Sequence, residues 1–132
     1  MTTTTTSFLQ ATSLVPSLTV DDLQQGITFY EKLGFIVEER WEDDGVLRGV
    51  MLQAGEFRIG LAQDDWKKGR DRRKGVGMRI FIGTRQDVEA LAARAKESGL
   101  TLETDVHDTP WGSRAFELTD PTGFKLTLSS EV

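Results

Sequence analysis

Asp120-Pro121-Thr122-Gly123-Phe124-Lys125-Leu126-Thr127 fixes a turn and the facing of the strand that follows it. Asp at the first position, Pro at the second and Gly at the fourth form the pattern of a type I β-turn, with Pro pre-setting φ and Gly accepting the exit geometry. From Phe124 onward apolar residues take every second place. Phe124, Leu126 and Leu128 therefore line one face of a strand over 124–129, and Lys125, Thr127 and Ser129 line the other. The same alternation returns three times. Its non-greasy face carries Val15, Ser17 and Thr19 in one strand, Arg58, Gly60 and Ala62 in a second, and Arg79, Phe81 and Gly83 in a third. Four strands thus have a back that needs helices and a front that does not. A sheet of this kind, curved around its front, encloses a ligand cavity.

The remaining elements follow from local signals. After the strand ending at Val20, Asp21 or Asp22 caps a helix whose apolar face is Leu23, Ile27, Tyr30 and Leu33 and which stops at Gly34. Phe35 to Glu42 and Val46 to Ala54 read as a hairpin around Asp43-Asp44-Gly45, and Gly55 turns the chain into the strand at Phe57. In the second half Asp87 caps a helix with Val88, Leu91, Ala92 and Ala95 inward and Gly99 at its end. Asp22 to Gly34 and Asp87 to Gly99 are both twelve residues apart. Strands over 78–83, 101–107, 113–119 and 124–129 complete a second copy of the same order. The chain reads as a duplicated βαβββ unit. The predicted fold is α+β, a curved eight-stranded mixed sheet enclosing a cavity, with helices on its outer face. Residues 1–13 read as a flexible segment, and 14–130 as one domain: repeat one over 14–64, a linker over 65–75 and repeat two over 76–130.

Composition narrows the function classes. The 132 residues are 38% apolar and 28% charged, ordinary for a soluble globule, and contain no Cys for a disulfide, a thiolate nucleophile or a thiolate-bound metal. The first basic residue is Lys32, so no secretion or transit signal is read at the start, no window approaches a membrane span, and a cytoplasmic location is expected. Net charge is −5, but Lys67 to Lys74 carries six bases and one acid, leaving −10 on the rest. That balance argues against a nucleic-acid surface and for small ligands with a cationic group. The basic run itself reads as a solvated linker ahead of a phosphate site. No Gly-rich phosphate loop, Ser/His/Asp set or heptad run is present.

Several stretches together resemble the vicinal oxygen chelate superfamily, which includes glyoxalase I, bleomycin-resistance proteins and extradiol dioxygenases. They are Thr19 to Leu23, Phe29 to Phe35, Asp87 to Leu91, Thr109 to Phe116 and Asp120 to Phe124. The resemblance implies a divalent metal held by His and Glu from four strand positions. Those positions fall here on Val15, Gly60, Arg79 and Thr127, of which only Thr127 offers an oxygen, so no metal or other cofactor is expected. What it then implies is the metal-free branch: sequestration of a small organic molecule, as bleomycin-resistance proteins do, in a cavity covered by a second copy in a homodimer. The four positions are expected to converge on one hollow. One alternative is a glyoxalase, lyase or dioxygenase relative with relocated ligands, for which His107, the single His, and Glu117 are candidates. Another is a non-catalytic interaction module whose cavity its own side chains fill.

Individual residues carry two readings each. Glu117 in phase with Ala115 faces the cavity, where it binds a cation or acts as a base, or is a solvated strand residue. Arg79, a charge within an apolar strand, needs an anion, and that anion is a ligand's or Glu117's. Trp41, Trp66 and Trp111 are rings able to close over a planar or cationic guest or to anchor packing. Phe81, Lys125 and Thr127 join the ligand-contact set through their shared facing. His107, at a strand end before a turn, reads as an edge residue before it reads as chemistry.

Overall fold

A computed structural model describes residues 5, 7–65 and 73–131. The elements run in the duplicated order: β1 Ser17–Val20, α1 Leu23–Leu33, β2 Ile36–Asp43, β3 Val46–Ala54, β4 Phe57–Gln63, then β5 Arg79–Thr84, α2 Val88–Glu97, β6 Thr104–Asp108, β7 Arg114–Thr119 and β8 Lys125–Ser130. The strands form two four-stranded mixed sheets of identical topology, β1-β4-β3-β2 and β5-β8-β7-β6. In each, the first strand pairs parallel to the last and the other pairs are antiparallel. No helix among the described residues is long and apolar enough to cross a membrane.

Caps and turns carry the chemistry read from the sequence. The Asp22 side chain accepts from the Gln25 amide at 3.1 Å, and that of Asp87 accepts from the Glu89 amide at 3.0 Å. Between β2 and β3 the chain reverses over Asp44 and Gly45, with φ of 53° and 73°, the left-handed pair that a two-residue hairpin turn requires. Two strands begin later than the alternation suggests. Val15 lies outside β1 and is 39% exposed. The ladder opens one residue on, where the Pro16 carbonyl accepts from the Gly60 amide at 2.8 Å, since Pro16 has no N–H to donate. β6 likewise begins at Thr104 rather than 101, with Glu103 giving its amide to the Glu117 carbonyl at 2.7 Å just before it.

The backs of both sheets and both helices share one apolar cluster. Leu18, Val20, Val50, Leu52 and Leu61 of the first repeat and Phe116, Leu118 and Leu126 of the second are each at most 1% exposed. Tyr30, at 0%, stacks edge-on against Phe29 and Phe35 at 5.0 and 5.4 Å. Gly26 interrupts α1 at a cost of about 1 kcal/mol in helix propensity. Its packing explains it: a Cβ there would stand 3.2 Å from the Leu61 side chain, so glycine brings the helix close to β4.

The turn at 120–123 joins the repeats. Gly123 donates its amide to the Asp120 carbonyl at 3.1 Å, and one Asp120 carboxylate oxygen accepts from the amides of Thr122, Gly123 and Phe124, each at 2.9 Å. The other oxygen accepts the Tyr30 hydroxyl of α1 at 2.8 Å. Thr122 accepts the Asp21 amide at 3.1 Å. Beside them the buried ammonium of Lys74 meets Asp21 and lies 2.9 Å from Asp64. The repeats are thus held by polar bonds at the rim of a common apolar core.

Candidate functional site

Strand register sorts the front of the second sheet into rows. Arg79 stands beside Lys125 and Thr119, Phe81 beside Thr127, Glu117 and Thr104, and Gly83 beside Ser129, Ala115 and His107. The alternation that buries Leu118, Leu126 and Leu128 on the back sends these residues forward.

The centre of this front is a charge network. The Arg79 guanidinium lies 2.8 Å from the Glu117 carboxylate and donates to the Thr127 hydroxyl at 3.1 Å. Glu117 also accepts from Thr104 at 3.0 Å and, at 3.4 Å, from Thr127. One row on, Lys125 meets Glu103 at 3.2 Å and Thr119 donates to the same carboxylate at 3.0 Å. The Thr119 hydrogen bond first, and the Lys125 ammonium next, hold the Glu103 carboxyl below its usual range. Neither ion pair is closed off: the paired side chains are 30% and 24% exposed at Arg79 and Glu117, and 42% and 43% at Lys125 and Glu103.

A hollow of about 680 Å³ opens at the Arg79 end of this face. Its walls include Arg73, Val76, Met78, Arg79, Thr119 and Lys125. Next to the network Phe81 is 63% exposed and Trp111 55%, their ring centroids 6.4 Å apart edge to face. Candidate contacts Arg79, Phe81, Trp111, Glu117, Lys125 and Thr127 therefore come together around one front.

The other candidates lie elsewhere. Trp41 is on the first sheet, paired with Gly49, and a Cβ on Gly49 would come within 3.0 Å of its ring. Val15 lines a separate small hollow with Glu56 and Arg58, and Gly60 has Ser17 and Pro16 as its near neighbours. The convergence of Val15, Gly60, Arg79 and Thr127 on one hollow is thus not what the described residues show: Arg79 and Thr127 meet, while Gly60 belongs to the first sheet and Val15 lies just ahead of β1. The reason is topological, because the two repeats form separate sheets and each described hollow draws its walls from one of them. His107 is exposed, with Nδ1 2.8 Å from the Asp105 carbonyl, in keeping with an edge residue. Trp66 and the basic run from Lys67 to Arg72 lie outside the described residues.

The four positions do not fit a divalent ion. Val15 and Gly60 have no donor, and the Thr127 hydroxyl lies beside the Arg79 guanidinium, whose charge repels a cation. Among the described residues no three His, Cys, Asp or Glu side chains are grouped to hold a metal. Sequence reasoning missed Glu103, Thr104 and Thr119. Thr119 was within reach, two residues from Glu117. Thr104 was hidden by a register shift between Thr104 and His107, which breaks the simple alternation in β6.

Comparison with known proteins agrees with this architecture. A model of the Glyoxalase/Bleomycin resistance protein/Dioxygenase superfamily matches residues 10–128. TioX from Micromonospora sp. ML1 superposes with a TM-score of 0.75 at 18% identity, over 92% of this chain and 100% of that one. A member of the same superfamily from Sphaerobacter thermophilus DSM 20745 gives 0.73 at 25% identity, over 92% and 98%. An integron cassette protein from the mobile metagenome of V. cholerae gives 0.69 at 22%, over 95% and 100%. No curated protein matches the sequence.

Proposed function

Because this chain belongs to the Glyoxalase/Bleomycin resistance protein/Dioxygenase superfamily, we propose that it binds a small organic molecule on the front of its second sheet without a metal, in the sequestering manner of the bleomycin-resistance type. One observation carries the reading: where the fold would present metal donors, Arg79 and Thr127 bond each other and Glu117 instead. A guanidinium at the centre of a face serves hydrogen bonding to an organic guest and opposes an ion. The acidic balance of the body favours a guest with a cationic group.

A second copy of the chain covers the site in this reading. Phe81 on the second sheet with Trp111 beside it, and Ile36 and Trp41 on the first, are large apolar residues at 41–63% exposure. Such faces are of the kind that a dimer buries. Sedimentation equilibrium is expected to return twice the 14.7 kDa chain mass, and Phe81→Glu to lower it toward one chain.

The test of binding is a thermal-shift screen of organic compounds in chelator-treated buffer. A true guest at a hundred times its Kd adds about 2.7 kcal/mol of stability. Stoichiometric, tight uptake of Ni²⁺, Zn²⁺, Mn²⁺ or Fe²⁺ would overturn the metal-free reading.

A further inference from the structure

The front of the second sheet holds both anions and cations, and it sorts them. Arg73, Arg79 and Lys125 line the hollow. Glu117 lies on the same front, accepting a hydrogen bond from Thr104 on the adjoining strand. In the Glu117 row stands Phe81, exposed together with Trp111, the ring against it.

Building on the reading that this face is the binding site, we propose that its guest is an aromatic zwitterion: an acidic group in the hollow against Arg79, Lys125 and Arg73, an ammonium on Glu117, and a ring against Phe81 and Trp111. The internal ion pairs supply the reason. A pair as open to water as Arg79 and Glu117 contributes little to folding, so opening it costs little. A singly charged guest that takes one member leaves the other covered and without its counter-charge, which is costly. A guest with both charges exchanges the Arg79–Glu117 pair for two new ones and strands neither member, while Lys125 keeps Glu103 and takes the acidic group as a second partner. Arg79 can offer a planar guanidinium to a carboxylate, a geometry that favours an acidic group over a lone dipole. The rings add a face for stacking and for the edge of a flat molecule.

Three compounds with one ring separate the possibilities: L-tryptophan, with both charges, tryptamine, with the ammonium alone, and indole-3-propionate, with the carboxylate alone. Each is titrated into the isotope-labelled full chain in metal-free buffer, following the Phe81 amide and the Trp111 indole N–H. Tryptophan is expected to bind at least tenfold tighter than either partner. In the double variant Arg79→Met with Glu117→Gln, tryptophan is expected to fall within threefold of indole-3-propionate. If that variant does not fold, the ranking on the native chain decides alone. Tryptamine or indole-3-propionate binding as well as tryptophan overturns the zwitterion proposal and leaves the binding face standing. So does silence of those resonances toward all three compounds, since loss of the binding face itself requires the broad organic screen to find no guest there.

Discussion

Tyr30 is the single tyrosine of the chain and lies at 0% exposure with its hydroxyl on Asp120. Burial first, then the neighbouring Asp120 charge and the hydrogen bond to it, push its pKa well above the usual value near 10. The sign follows from which form each state holds. Below pH 10 both the folded and unfolded chains keep the proton and nothing is lost. Above it the unfolded chain releases the proton while the folded one retains it, so stability falls by about 1.4 kcal/mol per pH unit. Tyrosinate absorbance is expected to stay absent as pH rises and then appear together with loss of secondary structure. A phenolate band growing while circular dichroism stays native would overturn the assignment. Tyr30→Phe should remove that slope, and at neutral pH cost about 1–3 kcal/mol for the lost bond to a charged acceptor. The burial of Tyr30 was legible from helical spacing alone. Its bond to Asp120, ninety residues away, was not, because local pattern tells which face is buried and says nothing of which polar atom waits there.

At the scale of elements, the sequence disclosed kinds and order well and edges less well. Alternation located β4, β5, β7 and β8 within a residue or two and placed Glu117 on the front, since period two is a local property. It misplaced the start of β1, where Pro16 ends the donor ladder, and of β6, and it missed the register shift inside β6 that breaks the phase. The connection into β5 offers a test. Gly75 has φ of 75°, and a Cβ there would collide with the Gly123 carbonyl, in the turn that docks on α1. Gly75→Ala must therefore bear a left-handed backbone and push the two chain segments away from each other, at a combined cost of about 2 kcal/mol or more. Gly83 is the matched control: it lies on the front with no atom within 4 Å of an added Cβ and no left-handed φ. Gly83→Ala is expected to stay within about 0.5 kcal/mol of the native chain. Urea midpoints for the two variants check both values, and equal midpoints would refute the close approach of Gly75 to the turn.

Across the whole molecule, faces were legible and their partners were not. Each strand's alternation names a front and a back, yet nothing in a period of two residues states which front looks at which. That is why Arg79 and Thr127 were found together while Val15 and Gly60 were not. What unites the halves is the back: one apolar cluster spanning both repeats, bordered by Tyr30 with Asp120, Asp21 with Thr122, and Lys74 with Asp64. The two repeats share that one cluster, so the chain should unfold as one cooperative unit. Variants keeping only Trp41, in the first sheet, or only Trp111, beside the second, report the halves separately by fluorescence. Their urea midpoints are expected to coincide once each is referred to its own circular-dichroism transition. If a second copy covers the fronts, both midpoints should also rise together with protein concentration, because association stabilises only the folded chain. A fluorescence midpoint that departs from the circular-dichroism transition of the same variant would mean that the repeats are independent units, and the polar rim between them would then be a contact rather than a joint.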